Sequence, residues 1–200
     1  MRRLCILVFF VFLIGGCAEA PKEIVSVPPP AKGPLVAEPQ KKEEPPAVLN
    51  IPRVPITRKW SYIVIHHSAS YAGNANAFDY IHRVKRGWEG GLGYHFVIGN
   101  GHGSGDGQIE VGHRWLCQYH GAHAGVAEYN QHGIGICLVG NFQEDSPTPK
   151  QLASLVALIR ELQQLCGIPS ENVILHRHVR NTECPGRNFP YYEVLAKLLR

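Results

Sequence analysis

Short apolar runs and one long amphipathic segment divide this chain into strands and helices. Residues 61–66 form a brief run with β-branched content that reads as a buried strand, and Tyr94 to Ile98 and Ile134 to Val139 read as two more, each bounded by glycines. Val173 to Leu175 is a fourth. Residues 75–88, with Phe78, Ile81, His82, Val84 and Lys85, fit a helix ending near Gly87. Thr148-Pro149-Lys150-Gln151 is a strong helix start, with Thr as N-cap, Pro at the first position and Gln closing a capping box. Leu152, Leu155, Val156, Ile159 and Leu162 then share one face, and Gly167 and Pro169 stop the helix. A closing helix is expected over 190–199, and the Gly-rich stretch 99–107 reads as a long loop at the rim of a site. Strands interleaved with helices predict a single α/β domain with a central mixed sheet flanked by helices.

The first residues have a different character. Arg2 and Arg3 precede an almost purely apolar run over 4–14, too short to span a bilayer and built like a secretory signal peptide. Ile14-Gly15-Gly16-Cys17 resembles the bacterial lipobox, which implies cleavage before Cys17 and acylation of its thiol. Residues 18–56 hold ten of the 15 prolines, mixed with Lys and Glu, a composition that cannot offset its ordering entropy. At about 3.1 Å per residue such a tether reaches on the order of 100 Å. The expected organisation is a signal peptide over 1–16, a lipid-anchored Pro-rich linker over 17–56 and a folded domain over 57–200. The formal charge of +4 falls to +2 once Arg2 and Arg3 leave, and no basic stripe with interleaved aromatics points to nucleic acid. Loss of Cys5 and acylation of Cys17 leave Cys117, Cys137, Cys166 and Cys184. Cys137 lies in an apolar run and reads as a core thiol, and no disulfide pairing follows from sequence.

Candidate chemistry gathers at the ends of two apolar runs. YIVIHHSAS (62–70) carries His66 and His67, and VILHRHVRNTECPG (173–186) carries His176, His178 and Cys184. Two imidazoles and a thiolate suit zinc, and three protein donors leave a fourth tetrahedral position open, as in catalytic sites. Successive strand side chains face opposite ways, so His66 and His67 cannot both face one metal. By the same rule His176 and His178 would share a face on a strand, which makes His178 a rival ligand. Spacing alone decides neither choice.

The strings IVIHHSA, GLGYHFVI, GAHAGVAEYN, GIGICLVGNF and HRHVRNTECPG resemble the type 2 N-acetylmuramoyl-L-alanine amidases, a family that includes phage lysozyme-type amidases and peptidoglycan recognition proteins. The resemblance runs from Tyr62 to Gly186. It implies an amidase-like α/β fold, zinc held by His66, His176 and Cys184, and catalytic roles for Tyr94 and Thr182. It also implies peptidoglycan contacts by His123 and Asn130. The family usually has Asp where His178 stands, and the loop 100–107 looks expanded. His102 in that loop is a weaker candidate for substrate contact.

The activity so implied is zinc-dependent hydrolysis of the amide joining N-acetylmuramic acid to L-alanine. Tyr94 and Thr182 would orient water or stabilise the oxyanion, with Tyr94 the candidate for general base. Expected partners are peptidoglycan and, through Cys17, a membrane. The expected location is the periplasmic side of a bacterial outer membrane, because Ala18 is not the inner-membrane retention signal. A monomer is expected. Three other readings compete: a non-catalytic peptidoglycan-binding lipoprotein, a cysteine peptidase using Cys184 and His176, and a closed zinc site with His178 as fourth ligand.

Overall fold

The computed structural model describes Leu49 and residues 51–199. The expected signal peptide, the acylated Cys17 and the linker as far as residue 48 lie outside the described residues. Five strands form one sheet in the order β3-β2-β4-β1-β5. They are β1 (Tyr62–His67), β2 (Phe96–Ile98), β3 (Ile109–Val111), β4 (Gly133–Leu138) and β5 (Val173–Leu175). β1 runs parallel to both β4 and β5, and β2 parallel to β4, whereas β3 is antiparallel to β2, so the sheet is mixed. The four parallel strands therefore share one carboxyl end, where crevices of α/β sheets take ligands.

Register assigns each side chain to a face. Ile63 and Ile65 align with Ile134 and Ile136, and Phe96 with Ile136, so these residues point the same way. They join Ile98, Leu138, Leu155, Leu158, Ile159 and Leu162 in the main core, all essentially inaccessible to water. The alternate residues, Val97 and Cys137, pack with Phe78, Leu92 and Val139 in a smaller cluster on the opposite face. His66 aligns with Cys137 and so belongs to this second face, while His67 aligns with Leu138 and belongs to the first. Cys137 is fully buried, as its apolar setting suggests.

Helix α1 (Ala75–Tyr80) starts at Asn74, whose side chain accepts from Ala77 N, and continues as a π-helical turn at Ile81–Lys85. Two short helices, α2 (His113–Leu116) and α3 (Ala127–His132), lie in the segment before β4. Helix α4 (Pro149–Cys166) has the expected Thr148 cap and capping box, and it ends at Gly167 with φ of 69°. Its buried residues include Leu155, Val156, Ile159 and Leu162. Helix α5 is the short turn His176–Val179, and α6 (Tyr191–Leu198) closes the chain.

Two expectations change. Leu49, Ile51, Val54 and Ile56 pack against the main core, so the ordered domain begins before residue 57. Their spacing is too irregular for helix or strand periodicity, and the surrounding prolines masked them as linker. The 99–107 loop is a turn between β2 and β3 rather than a rim. Gly73 N donates to His102 O, Asn74 Nδ2 to Gly103 O, and Thr148 Oγ1 to Asp106, which ties it to the α1 and α4 starts.

Gln151 joins α4 to the sheet. Fully buried, it donates from Nε2 to Ile98 O at 3.1 Å and to Val139 O at 2.9 Å. Both carbonyls lie just at the carboxyl ends of β2 and β4. Replacing Gln151 with Leu strips the donor from Val139 O, a loss of about 1–3 kcal/mol for an unpaired buried carbonyl. It also removes one of two donors from Ile98 O, which keeps the Val139 N–H at 2.9 Å. The expected loss in urea unfolding is about 2 kcal/mol or more, against about 1 kcal/mol for removing the Thr148 cap with Ala. A smaller loss at Gln151 than at Thr148 would contradict this role.

Candidate metal centre and active site

Strand alternation selects His66 over His67. His66 projects from the carboxyl end of β1 onto the second face and is 1% exposed. His67 turns to the other face, where its Nδ1 accepts from Phe142 N at 3.1 Å. The second choice is decided by helix geometry. His176 and His178 sit in the helical turn α5 and not on a strand, so residues two apart do not share a face. His178 packs against Tyr191, with ring centroids 5.2 Å apart, and its Nδ1 accepts from Leu175 N. It is not among the converging donors, which removes the closed four-ligand reading.

One nitrogen of His66, one of His176 and the Cys184 sulfur all lie within 4.8 Å of one another. Cys184 Sγ is 3.8 Å from His66 Nδ1. Zinc bonded at about 2.0–2.1 Å to nitrogen and 2.3 Å to sulfur requires a tetrahedral N···S edge of about 3.5 Å, close to the 3.8 Å between His66 and Cys184, while edges as wide as 4.8 Å must draw in on binding. His176 Nε2 lies 3.1 Å from Ala124 O, an atom that can only accept, which puts the proton on Nε2 and leaves Nδ1 as the donor. The backbone N–H of His67 points at Cys184 Sγ at 3.4 Å, a bond that stabilises sulfur as thiolate. The residues present fit a zinc ion.

Electrostatics agree with that donor set. Burial, followed by the neighbouring His123 and His176, holds His66 well below the ordinary imidazole range, so it stays an unprotonated donor. Burial likewise lowers His176, against the Ala124 carbonyl that favours its charged form. Burial pushes the Cys184 thiol up to about 12 despite the His67 amide and Arg177. A thiol so protonated is a poor free nucleophile, which weighs against the cysteine peptidase reading.

The donors open onto a cleft of about 360 Å³ whose lining includes Tyr94, Thr182, Glu183, Arg86 and Asn141. The Tyr94 ring sits 5.2 Å from that of His66. Burial first, then the Cys137 and Cys184 sulfurs, raise its phenol well above the ordinary value. A phenol that keeps its proton suits a hydrogen-bond donor, and so the general-base role suggested for Tyr94 is not its natural one. Thr182 Oγ1 accepts from Cys184 N at 3.3 Å, which leaves the hydroxyl hydrogen free for the cleft.

Arg86 and Glu183 are cleft residues that sequence reasoning passed over. Nothing distinguishes Arg86 from Arg83 and Lys85 until the π-helical turn and Gly87, with φ of 67°, aim it. Glu183 adjoins Cys184 in sequence and accepts from Gln143 Nε2 at 2.7 Å. His123 and Asn130, expected at the substrate, do not line the cleft. His123 is 9% exposed, and Asn130 Oδ1 accepts from the backbone N–H groups of His123 and Ala124. His102 instead meets Tyr71, with 3.0 Å between Nε2 and the hydroxyl. Cys117, Cys137, Cys166 and Cys184 are all free thiols.

Metal binding here must expel the Cys184 proton, because the imidazoles are already neutral at pH 7 and above. Apparent zinc affinity measured by chelator competition should therefore rise about tenfold per pH unit from pH 7 to 9. An affinity flat over that window would show that zinc binding releases no proton from Cys184, contrary to a protonated thiol in the metal-free site.

The sequence model of the N-acetylmuramoyl-L-alanine amidase family matches residues 56–187. Peptidoglycan-recognition protein SC1a of Drosophila melanogaster is 35% identical over 135 residues, covering 63% of this chain and 68% of that protein. Among solved structures, the N-acetylmuramoyl-L-alanine amidase LysC from Clostridium intestinale superposes with a TM-score of 0.62 at 36% identity. That match covers 74% of this chain and 95% of LysC. A mutant of Drosophila PGRP-LB in complex with tracheal cytotoxin matches at 29% identity with a TM-score of 0.54, over 67% of this chain and 79% of that one. With its mixed five-stranded sheet and the His66, His176 and Cys184 cluster, the chain belongs to the type 2 N-acetylmuramoyl-L-alanine amidase and peptidoglycan-recognition-protein family.

Proposed function

We propose that this protein is a zinc-dependent N-acetylmuramoyl-L-alanine amidase that cuts the amide between N-acetylmuramic acid and L-alanine in peptidoglycan. The convergence of His66, His176 and Cys184 donors within 4.8 Å, at a cleft that also holds Tyr94 and Thr182, carries this reading. Zinc bound by that triad would supply Lewis acidity, lowering the pKa of a water from about 15.7 toward 7 and polarising the scissile carbonyl.

The chain's own groups supply the rest. Tyr94 presents a protonated phenol and Thr182 a free hydroxyl hydrogen, two donors suited to the oxyanion that develops as the amide carbon becomes tetrahedral. Arg86 gives the cleft a cation that favours an anionic substrate such as a stem peptide with free carboxylates. Glu183 is a carboxylate in the cleft wall, available to a proton or to the leaving amine.

Export and tethering complete the proposal. Acylation at Cys17 would anchor the protein on the periplasmic side of the outer membrane, and the Pro-rich stretch would let a monomeric domain reach the wall. Cys17→Ser should block both acylation and removal of residues 1–16, seen by mass spectrometry as an unacylated precursor that keeps its signal peptide. A wild-type protein carrying no acyl mass at Cys17 would contradict the anchor.

The direct test incubates the protein with purified sacculi, with and without zinc, and follows new N-terminal L-alanine by mass spectrometry. Release should require zinc, vanish in Cys184→Ala, and fall about 10²–10³-fold in Tyr94→Phe. Sacculi bound but uncut would identify a recognition module. Cleavage inside the stem peptide that survives chelation would identify a cysteine peptidase.

A further inference from the structure

His123 sits behind the metal ligands with both ring nitrogens engaged. Its Nε2 lies 3.2 Å from Gly133 O, and its Nδ1 lies 3.0 Å from His66 Nε2. The ring is buried edge-on against His66 at 5.0 Å and His95 at 5.8 Å, and neither ion pair among the described residues involves it. A neutral imidazole has one donor nitrogen and one acceptor. The Gly133 carbonyl can only accept, so the proton is on His123 Nε2 and its Nδ1 is bare. His66 Nε2 must then be the donor in the 3.0 Å contact. That leaves His66 Nδ1 without a proton, and this is the atom that lies 3.8 Å from Cys184 Sγ.

The surroundings are cut to hold this ring. A Cβ added at Gly135 would lie 2.5 Å from His123 Cδ2, and one at Gly121 only 2.3 Å from the same atom. Gly135 lies on the second face of β4, where a side chain would otherwise occupy the place of the imidazole. The same loop serves the other ligand, because Ala124 O receives the His176 Nε2 proton at 3.1 Å. Asn130 Oδ1 fixes the two residues together, accepting from His123 N at 2.9 Å and Ala124 N at 2.8 Å.

We infer that His123 is a positioning residue that fixes the tautomer and orientation of His66 for the metal, with Asn130 clamping the loop that supports both histidine ligands. This rests on the zinc reading above, and it assigns to His123 and Asn130 a place behind the metal in place of contact with peptidoglycan. Metal-ligating histidines commonly donate their second N–H to a carboxylate, a carbonyl or water. Here the acceptor is a second imidazole that passes the bond on to a backbone carbonyl.

The first measurement needs no metal. In ¹⁵N NMR of the zinc-free protein, His66 and His123 should both appear as Nε2–H tautomers, with a coupling across the hydrogen bond from His66 Nε2 to His123 Nδ1. Nδ1–H on either ring would overturn the inference whatever the protein does with zinc. The second is zinc affinity by chelator competition. His123→Leu should weaken it about 10–100-fold, the range typical for losing such a partner. His123→Gln can keep both bonds, its amide N–H on Gly133 O and its carbonyl on His66, and should restore affinity to within a few fold. Unchanged zinc affinity in His123→Leu together with a raised KM for muropeptide would overturn the inference and return His123 to the substrate. Failure of wild type to bind zinc, with the tautomers as stated, would count against the amidase proposal and leave the His66–His123 relay standing.

Discussion

Everything at this site depends on the two-residue alternation of a buried central strand. β1 is paired on both sides, and its register with β4 sends Ile63, Ile65 and His67 to one face and Val64 and His66 to the other. A hydrophobic core of α4 and α6 fills the first face, leaving the second for chemistry. Because β5 runs parallel beside β1, the chain leaving Leu175 turns directly into α5 and delivers His176 next to His66, with ring centroids 4.4 Å apart. A one-residue slip in β1 would put His67 toward the site and an isoleucine where His66 stands, and the donor set would be lost.

The second face carries an unusual load of buried polar rings. His66, His95 and His123 are all nearly inaccessible, and each finds a partner among backbone groups or another histidine. Burial keeps them neutral, which suits metal ligation and hydrogen-bond relay better than proton storage. The glycines of β4 make this possible, since Gly133 and Gly135 provide the carbonyl acceptor and the space that His123 needs. The same glycines weaken the strand's own side-chain packing on that face, so the imidazoles take over the filling role of apolar residues.

Much of this was legible in the chain, for local reasons. The α4 start was readable because Thr148, Pro149 and Gln151 act on their own first turn. β1, β4 and β5 were readable because buried parallel strands appear as short apolar runs. The His66, His176 and Cys184 set was readable from motif blocks, while the choice between His66 and His67 needed the register and that between His176 and His178 needed the α5 turn. β3 (Ile109–Val111) stayed hidden, because three half-buried residues beside a Gly-rich turn carry no periodic signal. The packing of Leu49, Ile51, Val54 and Ile56 was hidden by the surrounding prolines, and Arg86 by its resemblance to neighbouring surface cations. The positions of His123 and Asn130 depend on contacts 57 and seven residues away in sequence, which no local pattern encodes. The bracket of Gly121, Gly133 and Gly135 around GAHAG was the available clue.

The proposed zinc centre has three protein ligands and one position open. X-ray absorption at the zinc edge, on the protein loaded with one equivalent of metal, tests it most directly. The expected spectrum has one sulfur at about 2.3 Å and three nitrogen or oxygen neighbours at about 2.0–2.1 Å, one of them exchangeable with added ligand. Two sulfurs in the shell, or a fourth ligand that no exogenous anion displaces, would contradict it.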